Sequence, residues 1–172
     1  MWDLILKSMY FFLPAYLANM FPNLLNKLPW LKQPINKKLF GAHKTWRGLI
    51  IAIIIGGLTF WVQKLLYIQN VGRSLALIDY ADFSLLLGFL LGAGAILGDL
   101  LESYFKRKNN LKPGESWVPW DQLDFVIGAL LLSFLVFIPR ISVIVVICLI
   151  SPLLHILANL IGYYLGINKN KW

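Results

Sequence analysis

A single cysteine, Cys148, lies within the apolar run ISVIVVICLI, which excludes an intramolecular disulfide and a metal site built from several cysteines. Histidine is nearly as scarce, with only His43 and His155, so imidazole ligation has little to work with. Acids are few as well: 8 Asp and Glu stand against 16 Lys and Arg, for a formal net charge of +8. The polar majority of a water-soluble domain is missing, since 59% of the 172 residues are hydrophobic, against about 45–50% in ordinary soluble domains. There is no internal repeat, no low-complexity tract and no GxxxxGK[ST] phosphate loop. The N-terminus lacks a basic leader and a clear small-residue cleavage site before Pro22, so the first apolar run is expected to be retained as a span.

What is present is a series of apolar stretches, about Leu4 to Phe21, Leu49 to Leu66, Phe83 to Leu101, Phe125 to Ile138, and Ile141 to Leu165. A helix needs about 20 apolar residues to span the hydrocarbon core. The expected fold is therefore an all-α, polytopic membrane protein of about five transmembrane helices forming one domain over residues 1–172. The fourth stretch is short and is closed by Pro139, so it either borrows turns from the segment around Asp121 or joins the fifth by a tight turn. Most bases fall on one side. Lys27, Lys32, Lys37, Lys38, Lys44 and Arg47 occupy a first loop at about 22–48, Lys106, Arg107, Lys108 and Lys112 a second at about 103–123, and Lys169 and Lys171 the tail. The other side has only Lys7, Lys64, Arg73 and Arg140. The positive-inside rule then puts the N-terminus outside, the C-terminus in the cytoplasm, and both basic loops at the inner face of the cell membrane. Trp2, Trp30, Trp46, Trp61 and Trp172 near span ends suit interfacial anchoring. Bases lying between apolar segments are expected to meet anionic lipid and phosphate ligands rather than nucleic acid. Oligomeric state is not legible.

Three constellations carry chemistry. In GDLLESYFKRK, Asp99, Ser103, Lys106 and Arg107 recur along one helical stripe, and a carboxylate followed by bases suits a metal with its bound phosphates. The plainer reading is a positively charged helix end that complements the dipole. In WVPWDQLDFVIGA, Asp121 and Asp124 share a helical face as they enter an apolar helix. Two such acids lose hydration and repel each other, and a divalent cation relieves both costs. Oxygen-only ligands favour Mg²⁺ over zinc; salt bridges to Lys106 or Arg107 are the structural alternative. In LFGAHKTWRG, Lys44, Thr45 and Arg47 offer phosphate donors between Gly41 and Gly48, and a juxtamembrane segment of this kind also suits lipid headgroups. The third span carries Gly88, Gly92, Gly94 and Gly98, two small-xxx-small pairs that admit close helix neighbours. The first loop, punctuated by proline and lysine, is expected to form an interfacial or re-entrant excursion. His43 is expected to be solvated, while His155 and Asn159 are expected to hydrogen-bond between helices near Pro152.

The runs LANMFPNL, PIN, FGAHKTWRG and above all GDLLESYFKRKNNLKPGESWVPWDQLDFVIGA resemble the archaeal CDP-archaeol synthase family and, more distantly, the bacterial CDP-diacylglycerol synthases. The likeness covers nearly the whole chain. It implies five spans and a cytoplasm-facing CTP site, with Asp99, Asp121 and Asp124 as metal-binding acids and Ser103, Lys106 and Arg107 in the nucleotide site. Lys44, Thr45 and Arg47 match the KTxRG element, for which phosphate contact is inferred. Asn36 departs from the aspartate expected in many relatives, and the histidine and glycine run of the diacylglycerol enzymes is missing.

The implied reaction is attack of a membrane lipid phosphate on CTP, assisted by Mg²⁺, giving a CDP-lipid and pyrophosphate; Asp99, Asp121, Asp124 and Lys106 are the candidate catalytic residues. A phosphatidate-using CDP-diacylglycerol synthase is the nearest alternative. A CDP-alcohol phosphotransferase is disfavoured because its Asp-Gly and Ala-Arg pairs are absent, and a small ion or lipid transporter because repeated halves are absent.

Overall fold

The computed structural model describes residues 1–26, 29–111, 115 and 117–164. Lys27, Lys112, Leu165, Lys169, Lys171 and Trp172 lie outside the described residues. Among the described residues six α-helices follow in order: α1 (Trp2–Leu24), the single-turn α2 (Lys37–Phe40), α3 (Trp46–Ile68), α4 (Leu86–Lys108), α5 (Trp120–Ser133) and α6 (Ile141–Tyr164). A short 3₁₀ turn, Arg73–Leu75, lies between α3 and α4. No strand is present among the described residues, only an isolated bridge between Pro34 and Thr45.

Helices α1, α3, α4 and α6 have 23 or 24 residues and are each long and apolar enough to cross a membrane. At 1.5 Å per residue they extend about 35 Å, against about 30 Å of hydrocarbon. The protein is an all-helical, multi-pass membrane protein. Its outward faces are those lipid requires: on α6, Ile141, Val145, Leu149, Leu153, Leu157 and Ile161 recur every fourth residue and all are exposed.

The fourth apolar stretch folds with shifted bounds. Its helix begins at Trp120, taking in both aspartates, and ends at Ser133 rather than at Pro139. The helix thus borrows turns from the segment around Asp121, while its link to α6, residues 134–140, is longer than a tight turn. The backbone N–H groups of Val136 and Phe137 turn back onto the Ser133 carbonyl at 2.9 and 2.8 Å, and the chain then runs non-helically to α6. Pro139 disfavours a helical conformation at Ile138.

Helix α4 is the common partner, packing against α1, α2, α3 and α5. Its glycines are divided between two faces. A Cβ built on Gly92 would sit 2.5 Å from the Ala52 carbonyl oxygen of α3 and 3.1 Å from the Gly56 Cα, so this face takes α3 at backbone contact. A Cβ on Gly98 would collide with the Asp124 carbonyl of α5, and one on Gly94 with that of Gly128. The two small-xxx-small pairs therefore serve two different helices. Around them Phe11, Phe12, Phe60, Tyr80, Leu87, Leu91 and Val126 form a buried core. Tyr16 of α1 shares a 2.8 Å hydrogen bond with Ser151 of α6, linking those two helices.

Candidate active site

The loop before α3 is an excursion pinned at both edges. Asn36 caps α2, its Oδ1 accepting the Lys38 and Leu39 amides at 3.0 and 3.1 Å, a task that an aspartate performs equally well. Gly41 takes φ +86, in the left-handed region that favours glycine, and turns the chain toward α3. The Ile35 amide then donates to the Lys44 carbonyl at 2.8 Å and the Trp46 amide to the Gln33 carbonyl at 3.2 Å. Thr45 caps α3, its Oγ1 accepting from the Gly48 amide at 3.2 Å. Lys44 is thereby held with its side chain reaching α4: its Nζ lies 2.6 Å from Asp99 Oδ2.

Asp99 follows directly on Gly98, the point where α4 and α5 touch through their backbones, so the residue facing it across that contact is Asp124. Glu102, one turn further along α4, completes a cluster. Asp99, Glu102 and Asp124 each offer a carboxylate oxygen, and these atoms all lie within 4.8 Å of one another. Asp124 Oδ1 also accepts the Phe125 amide at 2.5 Å.

Asp121 stands one turn before Asp124 on α5 and is engaged differently. Its Oδ1 lies 2.7 Å from Lys106 Nζ, which also reaches Glu102 Oε1 at 2.8 Å. The other Asp121 oxygen accepts the Trp117 amide at 2.8 Å. Lys106 thus ties α4 to α5 and fixes one edge of the Glu102 carboxylate. Ser103 Oγ donates to Glu102 Oε2 at 3.4 Å, and Arg107 Nη1 donates to the Leu111 carbonyl at 2.7 Å, closing the end of α4. Arg47 is buried in the first turn of α3, and His43 is exposed. The structure thus brings together Lys44, Asp99, Lys106, Asp121 and Asp124, leaves Thr45 as a helix cap, and directs Arg107 at a neighbouring carbonyl.

Glu102 is the residue that the sequence reading passed over. The stripe that selected Asp99, Ser103, Lys106 and Arg107 skips it, although it stands three residues after Asp99 and four before Lys106, the two spacings that share a helix face.

Charge sets what this pocket can hold. Among the described residues, when ionised, the four carboxylates of Asp99, Glu102, Asp121 and Asp124 face two ammonium groups, Lys44 and Lys106, leaving two negative charges in excess in that set. Uncompensated charge at this depth is costly. Oxygen donors on two helices with a twofold excess of negative charge fit Mg²⁺, a hard cation that takes a few carboxylates and fills its remaining positions with water or phosphate. For Lys44, burial alone would lower the ammonium pKa; the Asp99 carboxylate, with Asp124 and Glu102 behind it, outweighs that and raises it above the ordinary 10.5. Lys44 is therefore a cation throughout the physiological range.

A half-open groove of about 650 Å³ lies between α1 and α6. Its walls are mainly apolar, with Tyr16, Asn19, Asn23, His155 and Asn159 as polar points. Phe125, adjacent in the chain to Asp124, forms part of the wall, and the His155 ring lies 6.2 Å from it. The groove and the carboxylate cluster therefore share the start of α5.

The chain as a whole is similar to known proteins. A protein from Methanocaldococcus jannaschii named CDP-archaeol synthase is 35% identical over 98% of each chain. One of that name from Thermofilum pendens is 34% identical over 96% of this chain and 80% of its own. A solved structure, described as giving insight into an intramembrane enzyme for archaeal membrane lipids biosynthesis, superposes with a TM-score of 0.67 at 27% identity, over 91% of this chain and 94% of that one. A family model described as CarS-like, CDP-archaeol synthase, matches residues 1–172, and with these relatives it shows that the chain belongs to the CDP-archaeol synthase family.

Proposed function

We propose that this protein is a membrane nucleotidyltransferase that moves CMP from CTP onto an archaeal-type ether-lipid phosphate, giving a CDP-lipid and pyrophosphate. The observation that carries the reading is the convergence of Asp99, Glu102 and Asp124 from two helices beside Lys44 and Lys106. An oxygen of the lipid phosphate attacks the α-phosphorus of CTP, and the bond from that phosphorus to the bridging oxygen of the β-phosphate breaks. A phosphate monoester is already largely ionised near neutral pH, its second pKa being about 6, so no side chain has to remove a proton. What remains is positioning and charge neutralisation.

Asp99, Glu102 and Asp124 are the residues that would hold Mg²⁺, which when bound polarises phosphate oxygens and offsets their charge. Asp121 orients Lys106 and, through it, Glu102. Lys44 and Lys106 are the cations placed to meet the triphosphate, with Ser103, Thr45, Arg47 and Arg107 bordering it. The groove between α1 and α6 suits the lipid chain, since Phe125, the residue after Asp124, forms part of its wall and it lies between two helices long and apolar enough to cross a membrane. The site faces the cytoplasm in this reading: the loop bases Lys32, Lys37 and Lys38 and the α4 end with Lys106, Arg107 and Lys108 lie on one side, where the positive-inside rule puts them.

The deciding measurement uses purified protein in detergent with labelled CTP and Mg²⁺, supplied in parallel with an archaeal-type ether-lipid phosphate and a diacyl phosphatidate. CDP-lipid formation with faster turnover of the ether lipid is the expected result. Absence of a CDP-lipid from either substrate overturns the reading, and faster turnover of phosphatidate reassigns the lipid.

A further inference from the structure

Among the described residues two lysines touch the carboxylate cluster, and they are held differently. Lys106 Nζ is gripped by two acids, Glu102 at 2.8 Å and Asp121 at 2.7 Å. Lys44 Nζ has one carboxylate partner, Asp99 Oδ2 at 2.6 Å, and Asp99 is itself one of the three acids suited to a divalent ion. We propose that Lys44 is a displaceable counter-ion of this cluster: its ammonium occupies Asp99 while the site holds no metal, leaves when a divalent cation takes that oxygen, and passes to the phosphates of the arriving nucleotide. This rests on the cytidylyltransferase reading and adds to it an order of events.

The local structure permits exchange by the side chain alone. The backbone on either side of Lys44 is tied down, by the Ile35 amide on its carbonyl at 2.8 Å, by the bridge from Thr45 to Pro34, and by the Trp46 amide on the Gln33 carbonyl. The lysine side chain is a compact charge on a flexible four-carbon stem with freely turning donors, so rotation about that stem moves the ammonium by several ångströms while the loop stays in place. Electrostatics favours the exchange at Lys44, which among the described residues has no second acid to stay on as Lys106 has in Asp121. A divalent cation and an ammonium on the same carboxylate repel strongly in a poorly solvated site, and only an added anion lets both remain nearby. The nucleotide's phosphates are that anion. Metal without nucleotide then binds weakly, because it must dislodge Lys44 with nothing to receive it. Metal and nucleotide each strengthen the other's binding by the same factor.

The test measures binding of Mn²⁺ alone, by electron paramagnetic resonance, to detergent-purified protein without nucleotide. Lys44→Met is expected to bind Mn²⁺ about tenfold tighter than wild type, within the usual range for coupled sites. Lys44→Arg, which keeps the charge, is expected to match wild type. Equal or weaker binding in Lys44→Met overturns the exchange. Asp124→Asn, made in both the wild-type and Lys44→Met backgrounds, separates the two readings: Mn²⁺ binding that survives it in both means that the carboxylate cluster is not the metal site, so the underlying assignment itself fails. An independent measurement needs no variant. Acetylation of Lys44 in wild type, followed by mass spectrometry, should quicken severalfold when Mg²⁺ is added without nucleotide; an unchanged or slower rate overturns the proposal.

Discussion

At the scale of single residues, the site is built from acids that differ in their partners, and that difference decides what each substitution does. Asp124 and Glu102 contribute oxygens to the three-acid cluster with Asp99, whereas Asp121 stands beside that cluster, its oxygens on Lys106 and the Trp117 amide. Asp124→Asn and Glu102→Gln are expected to lower turnover at least about a hundredfold, the usual cost of losing one electrostatic contact to a transition state. Elution and helix content should stay as in wild type. Asp121→Asn is expected to lower turnover through Lys106 while leaving Mn²⁺ binding in place, a split that activity and paramagnetic resonance read separately. Lys44→Ala is expected to weaken CTP binding more than lipid-phosphate binding, checked by titrating each ligand alone; unchanged CTP affinity would return the KTWRG loop to a headgroup role. Asp99, Asp121, Asp124, Lys44 and Lys106 were legible in the sequence because each is a charge beside an apolar run. The contact between Lys44 and Asp99 was not, because it joins positions 55 apart in the chain, and no local period encodes such a pairing.

At the scale of elements, α4 is shaped by what it lacks. Its four glycines, legible as two small-xxx-small pairs, bring α3 against one face and α5 against another. The second contact is also the one at the candidate site, since Gly98 sets the approach of α4 and α5 beside Asp99 and Asp124. Gly98→Leu is therefore expected to separate the two acids and to destabilise the protein by about 1–3 kcal/mol, the common range for overpacking. Its thermal midpoint in detergent and its Mn²⁺ affinity should fall together. Leu97→Ala, one residue earlier on an exposed face, is expected to leave both near wild type. The bounds of α5 were less legible, because apolar periodicity runs through Ile138 while the helix stops at Ser133. That stop is made by backbone turns onto the Ser133 carbonyl, which a hydropathy profile does not register.

At the scale of the whole molecule, the membrane class was plain from composition, and Lys44 of the basic first loop does reach α4, at Asp99. What composition cannot express is that the helices differ in length. Helix α5 has 14 residues, about 21 Å, beside neighbours of 23 or 24. Its outer face, Ile127 and Leu131, is exposed, as is Leu135 just beyond its end. Lipids lying against this short rod face a hydrophobic mismatch, relieved by local thinning at fractions of a kcal/mol per Å. Thinning that lowered the headgroup plane toward Asp124 would present a tethered phosphomonoester at the depth of its reaction partner. Vesicles of longer-chain lipid should resist that dimple, and initial rates in them should fall relative to short-chain vesicles at equal surface density of substrate.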